Sequence, residues 1–138
     1  MSVQQLAVFL ENKAGRLADV TKVLGDAGVN VRGFSVADSS EYGILRLIVD
    51  DTNKALSALK ARSFTVHCSD VLCVRVPDRP GALSSALSVL GDKGINIEYM
   101  YPIAIAVIVF GVERLEYAIE SLQSTDTVVL TAEDIAGL

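Results

Sequence analysis

Two glycine-centred loops carry the residues best suited to hold a small charged molecule. Gly15 and Gly81 each stand just before an apolar stretch of helical period. A glycine at a helix N-terminus lets a ligand approach the backbone closely. The amides there, with the helix dipole, favour an anion such as a carboxylate. The donors would be the amides of Gly15, Arg16 and Leu17, and those of Gly81, Ala82 and Leu83. Asn30 and Asn96 follow later glycine turns and are expected near the same end of the sheet as the loops. Their side-chain carbonyls can accept from an ammonium group, and Asn12 and Asp78 add acceptors within the loops. Together these groups suit a zwitterionic amino acid. A plainer alternative stays open: Asn12 and Asp78 cap helices, and Asn30 and Asn96 tie down turns. Tyr99 and Tyr101 stand where the first half has Gly33 and Ser35. They either select an apolar or aromatic side chain or pack in a core or interface.

Other chemistries find little support. The one histidine, His67, lies in strand-like sequence with no carboxylate or nucleophile at motif spacing. Phosphate loops and zinc-protease pairs are missing. Gly25, Gly28 and Gly33 do not follow a strand in the order a dinucleotide site needs. Cys68 and Cys73 have no metal or redox spacing and are expected to be buried and reduced. No catalytic residue, metal or cofactor is therefore expected. A net charge of −5 opposes a nucleic-acid footprint. The N-terminus shows no basic stretch followed by an apolar one. The apolar run Ile103 to Phe110 is too short to span a bilayer, which takes about 20 helical residues. A soluble, cytoplasmic protein is the expectation.

The elements that position these loops occur twice. Asn12-Lys13-Ala14-Gly15-Arg16-Leu17 returns as Asp78-Arg79-Pro80-Gly81-Ala82-Leu83. Leu24-Gly25-Asp26-Ala27-Gly28-Val29-Asn30-Val31 returns as Leu90-Gly91-Asp92-Lys93-Gly94-Ile95-Asn96-Ile97. Both blocks shift by 66 positions, so one supersecondary unit is duplicated within 138 residues. The boundary is expected near position 70, giving domains 1–69 and 70–138. Their surfaces have diverged: residues 1–69 carry eight basic and seven acidic side chains, residues 70–138 four and ten.

Each copy reads strand, helix, strand, strand, helix, strand. In the first, Val3 to Leu10 is a strand, and Leu17, Val20, Leu24 and Ala27 line one helix face. Strands are expected at Asn30 to Val36 and Tyr42 to Val49, joined at Asp38-Ser39-Ser40. A helix over Thr52 to Ala61 and a strand over Phe64 to Cys68 complete it. The second copy is expected to have strands at Leu72 to Val76, Ile95 to Met100, Ile103 to Phe110 and Val128 to Leu130. Its helices bury Leu83, Ala86, Leu87 and Leu90, then Leu115, Ala118, Ile119 and Leu122. The spacing falls to 63 after the hairpin, where Pro102 sits. The fold class is thus α+β: two ferredoxin-like βαββαβ units, each a four-stranded antiparallel sheet with two helices on one face. Ile103 to Phe110 is apolar at every position, as in a strand buried on both faces. A covered second face and a homodimer are expected.

Over nearly its whole length the chain resembles a tandem pair of ACT domains. The loop Asn/Asp-x-Pro/Ala-Gly-x-Leu and the later Gly-Val/Ile-Asn-Val/Ile carry the resemblance, in both copies. It implies an amino-acid-binding regulatory protein with a metabolic enzyme as partner. It also implies ligands held between domains, against the glycine loop of one and the second strand of its neighbour. Serine-sensing members would match at Asn12, Asn30, Asp78 and Asn96; the histidine they place two residues before the loop is here Leu10 or Val76. Copy one has Ala14 where copy two has the more usual Pro80. The competing reading is an assembly subunit that docks an enzyme through its apolar face without a working ligand site.

Overall fold

The computed structural model describes residues 2–39 and 41–138. It separates into two units, Gln4–Ser69 and Asp70–Leu138, with residues 2 and 3 grouped with the latter. Ser40, part of the first expected hairpin turn, lies outside the described residues.

The first unit begins with β1 (Val3–Glu11), whose apolar side chains alternate onto the core. Gly15 then turns the chain with φ +89° into α1 (Arg16–Asp26). Val20 and Leu24 are the buried positions of α1, while Leu17, expected on that face, is 46% exposed. Leu17 sits in the first turn, at the margin of what the sheet covers. Gly28, at φ +75°, ends the helix in the left-handed conformation as expected, and the Val29 amide reaches back to Leu24 O at 2.9 Å. β2 (Val31–Asp38) and β3 (Tyr42–Val49) form the hairpin. The Asp51 carboxylate accepts from the Lys54 amide and opens α2 (Thr52–Ala61). β4 (Thr65–Arg75) follows. The strand order is β2-β3-β1-β4. Leu6, Val8, Leu45 and Leu47 of the sheet meet Leu24 and Leu59 of the helices in one core, so both helices lie on one face.

In the second unit the last residues of β4 are followed by α3 (Ala82–Asp92), β5 (Ile97–Ala104), β6 (Val107–Val112), α4 (Leu115–Leu122) and β7 (Val128–Val129). The order is β7-β4-β6-β5, with every pairing antiparallel. Leu72, Val74 and Phe110 pack with Leu90, Ala118 and Leu122. The alternating residues Cys73, Val107 and Val109 are buried as well. Both units are therefore α+β with the βαββαβ order.

Three expectations are corrected, and one element is added. The strands placed at 64–68 and 72–76 are one continuous strand, β4, which runs through Ser69 and Asp70. The second hairpin turns at Ile105-Ala106, not around Pro102. Within its own unit's sheet β5 is an edge strand, where a residue without an amide donor is tolerated, and Ala106 takes the left-handed turn at φ +57°. The double-sided apolar strand is consequently Val107 to Phe110, while Ile105 stands 82% exposed at the turn. Finally, a short α5 (Ala132–Ala136) closes the chain. Thr131 and Asp134 bond each other's backbone there as a capping box.

Candidate glycine-loop sites

The two loops share their local wiring. In the first, the Lys13 amide donates to Glu11 O at 2.9 Å and the Asp19 amide to Gly15 O at 2.9 Å. In the second, Arg79 donates to Pro77 O and Ser85 to Gly81 O at the same 2.9 Å distances, each 66 positions later. Gly15 and Gly81 adopt φ +89° and +85°. An added Cβ meets nothing within 4 Å at either glycine, so the backbone angle, not crowding, calls for glycine. The Arg16 amide reaches Lys13 O at 3.4 Å and the Ala82 amide reaches Arg79 O at 3.3 Å, long contacts that a ligand anion can compete with.

Neither helix is capped by a side chain, which removes the capping role for Asn12 and Asp78. Instead the Asn12 side chain donates to Ser39 O at 3.4 Å and its amide to Glu41 O at 2.9 Å. Asn12 thereby ties the loop to the β2–β3 hairpin. Asn30 and Asn96 are not near their own loops. β1 ends with Glu11 opposite Tyr42, whereas β2 starts with Val31 opposite Val49, at the far end of the sheet. The second unit repeats this: Arg75 faces Val107, and Ile97 faces Val112. A strand–helix–strand crossover starts its second strand at the end opposite the first turn. The Asn30 backbone is fixed there, its amide donating to the Asp50 carboxylate at 2.9 Å. Both asparagines are exposed.

Tyr99 and Tyr101 lie side by side with ring centroids 6.5 Å apart. Tyr101 is buried, and the Tyr99 ring covers Gly111, where any side chain would collide with it. Tyr99 thus has a packing task on the middle of β5.

A cavity of about 110 Å³ opens beside the first loop, walled by the loop itself and by the β2–β3 hairpin. Leu10, Leu17, Val36 and Leu45 give it apolar walls. Glu11, Lys13, Arg16 and Asp38 supply the charges. Lys13 pairs with Glu11 at 3.4 Å. The Arg16 guanidinium lies over the Phe64 ring at 5.1 Å, contacts Asp19 at 3.4 Å, and leaves its Nε without a hydrogen bond. Arg16 also lines two neighbouring clefts of about 330 and 230 Å³. Sequence reading assigned Arg16 only its backbone amide and missed Asp38; the register that sets the end of β2 beside the loop is a tertiary fact. At the second loop Arg79 is held by Asp126 at 2.8 Å.

The remaining chemistry-bearing groups stay dispersed. No group of three His, Cys, Asp or Glu able to hold a metal occurs among the described residues. His67 packs edge-on against Phe9 at 5.4 Å. Cys73 is buried as expected, but Cys68 is exposed. No helix among the described residues is long and apolar enough to cross a membrane.

The ACT domain pair family model matches residues 1–136. Protein BT0572 from Bacteroides thetaiotaomicron is 40% identical, with a TM-score of 0.93 over 100% of this chain and 98% of that one. The regulatory subunit of aspartate kinase from Thermus flavus aligns with a TM-score of 0.67 at 19% identity, over 88% of each chain. The corresponding subunit from Thermus thermophilus, ligand-free, gives 0.63 at 17%, again over 88% of each. The latter two share the fold. The comparison with curated proteins finds no match.

Proposed function

Since this chain belongs to the ACT domain pair family, we propose that it binds an amino acid at its glycine loops and, through that binding, regulates a metabolic enzyme. The observation that carries this reading is the loop itself: a left-handed glycine opening a helix, twice, with the same backbone hydrogen bonds. First-turn amides at such an end favour a carboxylate. The amides of Gly15, Arg16 and Leu17, or of Gly81, Ala82 and Leu83, are its donors. Asn30 and Asn96 serve such a site only from a neighbouring domain, because their own loop lies at the other end of the sheet. The chain carries no catalysis of its own in this reading and works in the cytoplasm. It works there as a homodimer, supported by the apolar edge strand β2, where Phe34 is 63% and Val36 48% exposed. The same exposed side chains favour the second reading, an assembly subunit that docks an enzyme there and binds no ligand.

A thermal-shift screen of the twenty amino acids separates the two. Binding to the native state raises stability by RT ln(1 + [L]/Kd), about 2.7 kcal/mol at a hundredfold excess over Kd. A shift with one class of amino acid supports the sensor. No shift with any of them leaves the docking subunit.

A further inference from the structure

We infer that the helix face of the first unit is a docking surface for α4 of a second copy of this chain. The exposed stripe of α4, a tyrosine ring among carboxylates, meets the cleft between α1 and the end of α2, which is lined by apolar side chains and cations. This contact is separate from the β2 edge and from the glycine loops.

The helices of the two units have diverged to opposite charge. α1 and α2 together carry four basic and two acidic side chains, α3 and α4 none and three. Both acids of α1 are engaged by its own cations, Asp19 by Arg16 at 3.4 Å and Asp26 by Lys22 at 3.2 Å. Lys54 and Lys60 of α2, and Arg62 just after it, are exposed and form no ion pair among the described residues. Glu116 and Glu120 of α4, and Glu113 just before it, are likewise exposed and without an ion pair among the described residues. Arg114, which interrupts these acids in sequence, is held by its own unit. It donates to Lys93 O at 3.4 Å and Gly94 O at 3.2 Å, and lies over the Tyr117 ring at 4.9 Å.

The shapes match as well as the charges. Glu113, Glu116, Tyr117 and Glu120 follow helical spacing, which sets them on one side of α4. Tyr117, at the middle of that stripe, is 37% exposed. An aromatic ring with a charged rim is the common anchor of a protein contact. The cleft of about 330 Å³ in the first unit offers the complement: Val23 and Phe64 give it apolar surface, and Arg16, Lys22 and Arg62 stand around it. Neither surface belongs to the shared fold. At the shift of 66, Arg16 and Lys22 become Ala82 and Ser88. At the shift of 63, Arg62 becomes Thr125, while Tyr117 and Glu120 correspond to Lys54 and Ser57. The first unit of one copy therefore receives the second unit of another. Both halves of the match lie on one chain and so occur at equal concentration, which makes a second copy the occupant. Complementary patches of this kind set the partner and the register of a contact.

Sedimentation of the full chain carrying Phe34→Lys tests this, since the β2 edge then makes no contribution. Well above micromolar concentration, and at an ionic strength of about 0.01 M where the Debye length is about 30 Å, the average mass should rise with concentration. At about 1 M, where that length is about 3 Å, the mass should return to that of a single chain. Two charge-reversed variants are made on the same background: Lys60→Glu with Arg62→Glu, and Glu116→Lys with Glu120→Lys. Each alone should stay a single chain at low salt, because like charges then face each other. An equimolar mixture of the two should associate, because the changed surface of each suits the changed surface of the other. No association of the parent at low salt, association of either variant alone, or a mixture that stays apart overturns the inference. The amino-acid sensor reading stands or falls separately, since none of these measurements involves a ligand.

Discussion

Gly15 and Gly81 hold the loops by backbone angle alone. Alanine meets no atom at either position, so its cost is the left-handed conformation itself, about 1–2 kcal/mol. Gly15→Ala and Gly81→Ala should each lower stability by that amount in urea unfolding, without changing the helical content of the folded state. Cys73 behaves differently. Burial pushes its thiol from 9.0 to about 12, with Arg75 pulling the other way. The folded state therefore prefers the protonated thiol. That contribution is complete below pH 9 and is lost as pH rises towards about 12. Native protein at mildly alkaline pH should be alkylated at the exposed Cys68 and spared at Cys73, while both react in urea. At this scale the sequence showed which residues repeat but not which ones meet. Asn30 was legible as a turn residue. Its distance from Gly15 followed only from the crossover direction, and Asp38 reached the loop only through strand register.

The elements were read more reliably, for identifiable reasons. α2 occupies Thr52–Ala61 as expected, because Asp51 gives a cap and the apolar positions recur at helical spacing. The second hairpin turns at Ile105-Ala106 because Pro102, a turn signal in sequence, is accommodated on an edge strand. Of the three residues this copy lacks, one is lost from the turn and two from the strand, since β3 has 8 residues and β6 has 6. α5 was overlooked although Thr131-Ala-Glu-Asp134 spells a capping box. Asp134 is held below the usual carboxylate range by the Thr131 backbone and hydroxyl bonds. Acidification through that lowered value should fray α5, and Asp134→Asn should remove the pH dependence of its amide protection, measured relative to the intrinsic exchange rate. The paired helices also yield a matched experiment. Leu24 and Leu90 are both fully buried, in separate cores. Leu24→Ala and Leu90→Ala should each cost about 2–5 kcal/mol, a range set by how far each core relaxes.

At the scale of the whole molecule, the proposed dimer makes a direct prediction. Phe34 lies on an edge strand and is mostly exposed. A charged residue there should block a self-association that uses this edge. Sedimentation at micromolar concentration should show a dimer for the wild type and a monomer for Phe34→Lys. A wild-type monomer at all concentrations would refute the dimer.

The matched wiring of the two loops has a consequence for how such a molecule changes over time and how it can be remade. The left-handed glycine and its backbone bonds shape the turn in both copies, and the second copy keeps them with alanine at positions 82 and 104. The shape of the turn is thus written apart from the side chains around it. A gene duplication of this kind leaves each copy free to change the side chains around its loop while the turn keeps its shape. It also offers an engineer a loop at which new side chains, at Ala82 for example, are tried without disturbing the turn that would present them.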